Sequence, residues 1–265
     1  MPPRTIEWRS DYARALDAAQ QERKFAFLWF FEPEQDEAIA VLEQGPLAAP
    51  GIAEVLEQRY IAVRLPVDAR RDGSDETLLA HPAFAELGGQ AGLAIVDLTD
   101  EASPHFRHVV SVYPFRRGPI TAERLAVLLT LPRGSLTQRT LIYAVRTHPE
   151  APQSAQGHFS YVLAEESAKH SVHQASIRLQ GHHQWESRFH AINAQLPGGL
   201  VAREVCAESW PGQDLLDAAE ECVASWRQSA GHWAAVSQRH NLFGYDMQRG
   251  ANGVWYATGI FASRP

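Results

Sequence analysis

Cysteine is scarce in this chain and unevenly placed. The 265 residues include 2 cysteines, Cys206 and Cys222, and none before them. Disulfide exchange requires a thiol, so residues 1–205 cannot perform it. Long hydrophobic runs are also absent, since the longest, "FAFLWFF" at 25–31, is far shorter than the roughly 20 residues that span a bilayer. We therefore predict no disulfide oxidoreductase and no transmembrane segment.

Blocks of basic residues are absent as well. The chain has 24 Lys and Arg against 31 Asp and Glu, a formal net charge of -7, and neither half contains a Lys/Arg cluster. Proteins that bind a phosphate backbone use such clusters, so we expect no nucleic-acid partner. The opening "MPPRTIEWRS" lacks the apolar core of a secretory signal. The expected location is cytoplasmic for the chain as it stands, and extracytoplasmic if a leader has been removed.

Helical and extended patterns alternate from residue 5 to residue 131. Apolar residues at helical spacing, or in short buried runs bounded by turn residues, distinguish the two. The pattern predicts helices over 11–24, 50–59 and 121–131, and strands over 25–31, 60–68, 92–98 and 107–115. Such an order is typical of an α/β domain.

The stretch "PRGS" at 132–135 predicts a domain boundary, because Pro132 and Gly134 interrupt two helical patterns. We assign residues 1–133 to a first domain and residues 134–265 to a second. The second domain is expected to contain helices over 136–148, 159–180 and 215–226 and a final strand over 253–262. We expect the side chains of Trp185, Trp226 and Trp233 to lie in its core.

The first domain resembles the thioredoxin-like fold in the order of its elements. Members of that family carry Cys-x-x-Cys after the strand that matches "FAFLWFF", whereas this chain has Glu32, Pro33, Glu34, Gln35 and Asp36 there. The family's cis-proline falls at 91 or 92, and neither residue is proline. The resemblance thus implies a structural or protein-interaction module without redox cysteines. We interpret the three carboxylates as charges that favour a helix start rather than as a metal site.

The second domain resembles the CAP superfamily (cysteine-rich secretory, antigen 5 and pathogenesis-related proteins) in its shorter bacterial form. The matching segments occur in the family's order over residues 136–265. They are Arg146 at the end of a helix, "AKHSVHQA", His182, "ESW" from Glu208, "WRQSAGH" from Trp226 to His232, Gly244, and "YATGIF" from Tyr256 to Phe261. The resemblance implies an α-β-α sandwich with a central cleft.

The resemblance also implies a ligand-binding cleft formed by His182, Glu208 and His232, with Ser229 at its edge. Two imidazoles and a carboxylate are a ligand set for a zinc-like divalent ion with one position left for water. We expect Gly231 to end a helix in a left-handed conformation, so that His232 can turn toward His182. The alternatives are His183 for His182, and Glu204 for Glu208 if this stretch is a strand.

Two departures from the family favour binding over catalysis. Ser229 and Ser209 stand where many members have a glutamate and an asparagine, so the cleft is incomplete. We predict a non-redox binding protein whose cleft holds a metal ion or small ligand, with a lipid or a protein as further possible partners. The alternative is a metal-assisted hydrolase in which His182 and His232 hold the ion and Glu208 acts as the base.

The two cysteines allow two interpretations. A disulfide between Cys206 and Cys222 would close a loop of about 15 residues and contribute roughly 3 kcal/mol in the chain-entropy model. In a reducing compartment both are expected to be buried thiols.

Overall fold

The structure is a computed structural model that describes residues 5–71 and 73–264. The chain divides into two compact units, Met1–Leu136 and Thr137–Pro265. The division falls close to the boundary predicted after residue 133, and independent folding of the two halves stays a prediction. No described helix has both the length and the apolar character that crossing a bilayer requires.

The first unit alternates strands and helices close to the predicted positions. In chain order they are β1 (Trp8–Arg9), α1 (Tyr12–Glu22), β2 (Phe25–Phe31), α2 (Asp36–Gln44), α3 (Ile52–Arg59), β3 (Tyr60–Pro66), β4 (Gly92–Val96), β5 (Val109–Pro114) and α4 (Ala122–Leu129). Helix α1 begins at Asp11, whose carboxylate accepts a hydrogen bond from the Arg14 backbone N–H. This cap satisfies a donor that the first helical turn leaves unpaired.

The five strands form one mixed sheet in the order β1-β3-β2-β4-β5. Strand β3 is parallel to β1 and β2, whereas β4 and β5 run antiparallel to their neighbours. The central strand β2 is apolar throughout because both of its faces are covered. Leu28 and Phe30 belong to the main core of this unit, while the Phe27 and Trp29 rings contact Trp8 across the opposite face.

The second unit has a four-stranded sheet with helices around it. Its elements are α5 (Leu136–Thr147), β6 (His158–Phe159), α6 (Tyr161–Ile177), α7 (Trp185–Asn193), β7 (Val201–Glu208), α8 (Leu215–Gln228), α9 (Ala230–Ser237), β8 (Leu242–Arg249) and β9 (Trp255–Ser263). The strand order is β6-β8-β9-β7, with β6 parallel to β8 and the other pairs antiparallel.

Helices cover both faces of this second sheet. On one face, Ser171 and Gln174 of α6 each donate a hydrogen bond to the Thr258 hydroxyl of β9, both at 3.0 Å. On the other face, the Trp226 ring of α8 lies 5.9 Å from the Tyr245 ring of β8. The predicted α/β class is confirmed for the chain, and the second unit has helix, sheet and helix in layers.

Candidate metal centre

Two histidines that are fifty residues apart in sequence approach each other in the second unit. His182 lies in the segment between α6 and α7, and His232 lies in α9. Their Nε2 atoms are 3.4 Å apart, and the two ring centroids are 5.7 Å apart. The His182 side chain is 42% exposed, and His232 is partly exposed, so solvent reaches both residues.

A break between two helices positions His232. Helix α8 ends at Gln228, and Ser229 has an extended conformation, with φ -104° and ψ 113°. Helix α9 then begins at Ala230, so Gly231 lies in its first turn and has no positive φ. The expectation that Gly231 ends the helix in a left-handed conformation is therefore wrong. Ser229 makes the break, because a single extended residue redirects the chain without a positive φ.

Glu204 orients the His182 ring. Its carboxylate Oε1 accepts a hydrogen bond from His182 Nδ1 at 3.0 Å, and the Glu204 side chain is only 1% exposed. Because a carboxylate can only accept, the His182 proton lies on Nδ1 and the Nε2 lone pair points away from Glu204. That lone pair lies on the His232 side of the ring.

Arg188 of α7 holds the other oxygen of the same carboxylate. Its Nη2 lies 2.5 Å from Glu204 Oε2, and its guanidinium stacks over the Trp185 ring at 5.5 Å. Burial by itself raises the pKa of Glu204, but the hydrogen bonds from His182 and Arg188 and the charges of His170 and Arg188 together outweigh it, so the pKa is lowered. Glu204 is therefore ionised at neutral pH, with both oxygens engaged.

His232 is suited to bind a cation as a neutral imidazole. Partial burial, together with the nearby His182 ring, lowers the pKa of His232 below its usual value. Its ring is therefore uncharged at neutral pH and keeps a lone pair for a hydrogen bond or for a metal ion.

A second potential ligand group lies beneath the first. His170 of α6, Glu204 and Cys206 present ligand atoms within 4.8 Å of one another, and this group could hold a metal ion. His170 Nε2 is hydrogen-bonded to the Gly181 carbonyl at 2.8 Å. Burial, followed by the charge of Glu204, raises the pKa of Cys206 well above its ordinary value. A metal bound through Cys206 would displace the thiol proton.

The structure places Glu204, not Glu208, beside the histidines. Glu208 is exposed at the end of β7 and lies four residues from Glu204. At about 3.3 Å per residue, that is roughly 13 Å along the strand. Glu204 was the alternative that the sequence offered, since residues two apart in a strand share a face. Arg188 was missed, because nothing local distinguishes it from an exposed helical arginine.

The structure also separates His182 from His183. His183 Nε2 is 3.1 Å from the Leu179 carbonyl, and its ring lies near those of His170 and His173 rather than near His232.

Ser229 contributes to the break between α8 and α9, and its side chain makes no hydrogen bond to the start of α9.

The tryptophans and cysteines of this unit differ in burial. Trp226 is fully buried, as expected for a core residue. Trp185 and Trp233 are only partly buried, so they lie at the edge of the core rather than inside it. Cys206 and Cys222 are both free, buried thiols. Thr258, the β9 partner of Cys206, contacts α6, while Cys222 belongs to α8 on the other face of the sheet.

In the first unit, the acidic stretch lies where α2 begins. Glu32 is partly exposed, and Glu34 and Asp36 are exposed. Asp36 is the first residue of α2, where a negative charge favours the helix dipole. These carboxylates are not part of any potential metal-ligand group within residues 5–71 and 73–264.

Comparison with known proteins leaves the family of the chain open. No protein-family model and no curated protein matches it. Two solved structures are similar at low identity. An outer surface protein from Borrelia burgdorferi is 15% identical, with a TM-score of 0.33, over 41% of this chain and 78% of that one. A thioredoxin from Thermus thermophilus is 16% identical, with a TM-score of 0.33, over 48% of this chain and 85% of that one. Scores this low carry no argument about fold or function.

Proposed function

We propose that the second unit is a CAP-like binding module that holds a zinc-like divalent ion between His182 and His232. The observation that carries the proposal is the 3.4 Å separation of the two Nε2 atoms. Two nitrogens bound tetrahedrally to one ion, with bonds of 2.0–2.1 Å, lie about 3.3–3.4 Å apart. The two nitrogens are therefore already at the separation that one ion requires. Because the ring centroids are 5.7 Å apart, the nitrogens face each other almost head-on, so both rings must tilt before their lone pairs point at one ion.

The hydrogen bonding of His182 also suits a metal ligand. Histidines that bind metals usually donate their other N–H to a carboxylate or carbonyl, which fixes the ring and makes it a better ligand. His182 donates Nδ1–H to Glu204, so its Nε2 is available. An ion held there would supply Lewis acidity and positions for an external ligand, while Glu204 and Arg188 keep His182 in place.

The same contacts favour binding over hydrolysis. A hydrolase needs a general base within reach of the bound water, and Glu204 already accepts from His182 and Arg188 with a lowered pKa. Glu208, the base in the hydrolase hypothesis, lies at the far end of β7. We infer a site that retains an ion together with a small external ligand, and a first unit that acts as a thioredoxin-like structural or interaction module.

The test is a metal titration of the full chain prepared without a histidine tag. Calorimetry with Zn²⁺, and Co²⁺ absorption in the visible range, should report one tetrahedral site. His182→Ala and His232→Ala should each abolish it, while thermal unfolding of metal-free His232→Ala stays close to that of the parent chain, because His232 makes no contact with the buried carboxylate of Glu204. His183→Ala is the matched control, because it removes the neighbouring ring that faces away from His232.

Two results would contradict the proposal. One is unchanged Zn²⁺ affinity in His182→Ala and His232→Ala, which would leave their approach as a simple hydrogen bond. The other is loss of the site in His170→Ala and Cys206→Ser alone, which would move the ion to the buried group beneath. A Co²⁺ spectrum separates these results, since thiolate ligation adds a strong near-ultraviolet charge-transfer band that two imidazoles lack.

A further inference from the structure

The first unit contains a cavity that the proposed metal centre does not use. Its volume is about 730 Å³, and it lies among the end of β2, helix α2 and the segment between β5 and α4. Pockets of about 300–1,000 Å³ are the size that binds small organic ligands. The cavity is therefore large enough for a molecule with an aromatic ring and several further heavy atoms.

The deeper wall of this cavity is apolar and well packed. Trp29, Leu42 and Ile120 line it and are at most 4% exposed. Such a wall favours the apolar part of a ligand, because burying apolar surface removes it from water. It provides no hydrogen-bonding pattern that would favour a sugar or a nucleotide.

The charged residues that line the cavity are all acidic. Glu32, Glu34, Asp36 and Glu37 line the cavity, and no Lys, Arg or His is among the described lining residues. None of these four carboxylates forms an ion pair within residues 5–71 and 73–264. A concave apolar surface with charge of one sign concentrates the field there and attracts ligands of the opposite sign.

We propose that this cavity binds a small organic cation, an ammonium or guanidinium group carried on an apolar or aromatic body. The carboxylates attract the charged group and the apolar wall takes the body. The chain's own Arg64 illustrates the chemistry, since its guanidinium lies 4.6 Å from the Trp29 ring and 4.5 Å from the Phe31 ring. Both rings line the cavity, and such faces attract cations. This binding is independent of the metal proposed for the second unit.

Three probes of similar shape would test the proposal on the full chain. They are 2-naphthylmethylammonium, the neutral 2-naphthylmethanol and the anionic 2-naphthoate, titrated by calorimetry and by NMR of the Trp29 indole. The cation should bind at least about tenfold more tightly than the alcohol, and the anion should not bind. Added salt should weaken binding of the cation, because most of these carboxylates are exposed.

Variants identify which residues are responsible. Changing Glu32, Glu34 and Glu37 to Gln together with Asp36→Asn should reduce cation affinity at least about tenfold. The matched control changes four exposed carboxylates outside the cavity, Glu7, Asp17, Glu54 and Glu76, to their amides, and should change affinity by less than about twofold. Both variants remove the same amount of negative charge, so the comparison separates a local field from the charge of the whole chain.

A substitution that fills the cavity tests the binding site independently of charge. Ala38 is exposed on α2 and lines the cavity, so Ala38→Trp should block binding without removing a core contact, with circular dichroism as the check on folding. Equal binding of the cation and the alcohol, equal loss in the control variant, or full binding to folded Ala38→Trp would each overturn the proposal.

Discussion

At the scale of single residues, Glu204 links the interior of the second unit to its surface. One carboxylate oxygen accepts from His182, which is partly exposed, and the other is paired with Arg188. This arrangement determines which nitrogen of His182 carries the proton. The candidate metal centre therefore depends on a residue that does not have to touch the ion.

Replacing Glu204 with Gln should lower Zn²⁺ affinity by about 10- to 100-fold, the range typical of residues that orient a metal ligand. An amide that accepts from Arg188 turns its NH₂ toward His182, so Nδ1 becomes the acceptor and the proton moves to Nε2. Stability should fall as well, because Arg188 loses its charged partner. Calorimetry and urea unfolding measure the two effects, with Glu208→Gln as the control. Equal affinity in both variants would contradict the orienting role.

The buried carboxyl group of Asp246 should make the stability of the second unit depend on pH. It is 7% exposed, and burial raises its pKa to about 6, although hydrogen bonds from Thr137, the Met247 backbone and Gln138 oppose the shift. An acid with a raised folded pKa stabilises the fold when protonated. This contribution, about 3 kcal/mol for a shift of roughly two pH units, is present below about pH 4 and lost as the pH rises through 6.

Comparing Asp246→Asn with the parent chain isolates this contribution. The difference between their free energies of unfolding should change by up to about 3 kcal/mol between pH 4 and pH 7, in the direction that disfavours the parent at higher pH. Urea unfolding at several pH values measures it. Glu208→Gln, which removes an exposed carboxylate, is the control. A difference for Asp246→Asn that does not change with pH would show that burial does not raise the pKa of Asp246.

At the scale of elements, the approach of α6 to β8 determines how the second unit packs. A Cβ added at Gly244 would lie 2.2 Å from the Ala164 backbone nitrogen of α6, a distance that no side chain tolerates. Ser167 of α6 also donates a hydrogen bond to the Gly244 carbonyl at 3.2 Å. Helix and strand are therefore in backbone contact here, and the helix brings His170 to Glu204.

Gly244→Ala should destabilise the second unit by at least about 2 kcal/mol, because backbone atoms must move to admit the methyl group. Gly198→Ala is the matched control, since a Cβ there meets nothing within 4 Å and its φ is not positive. That variant should stay within about 0.5 kcal/mol of the parent. Thermal unfolding followed by circular dichroism tests both, and similar midpoints for the two variants would refute the close contact.

At the scale of the whole molecule, the chain consists of two units that each have a sheet and a core of their own. Each unit is of a size that ordinarily folds independently. One contains the acidic cavity, and the other contains the candidate metal centre. The two proposals can therefore be tested separately.

Expressed alone, residues 1–136 and 137–265 should each fold with a cooperative thermal transition. The first fragment should keep the preference for the naphthyl ammonium probe, and the second should keep Zn²⁺ binding, because each site is formed within one unit. Circular dichroism and the two titrations measure these properties. A fragment that stays unfolded, while the full chain unfolds in a single transition, would show that the units depend on each other.

The sequence by itself determined the properties that depend on neighbours along the chain. A short continuous apolar run located β2, and apolar residues at helical spacing located α5 and α8. The absence of cysteine before residue 206 excluded disulfide exchange from the first half without any structure. His182 and His232 could be named because they belong to a series of motifs that resembles a family.

Only the tertiary structure decided which of these residues meet. Alternation along β7 places Glu204 and Glu208 on one face, so it could not choose between them. The segment between α6 and α7 made the choice, because it brings His182 to Glu204. His183 was separated from His182 by the direction of one loop, and Ser229 rather than Gly231 made the helix break. The physical reason is that a site is assembled from side chains distant in sequence, whose meeting depends on sheet pairing and helix packing rather than on local preference.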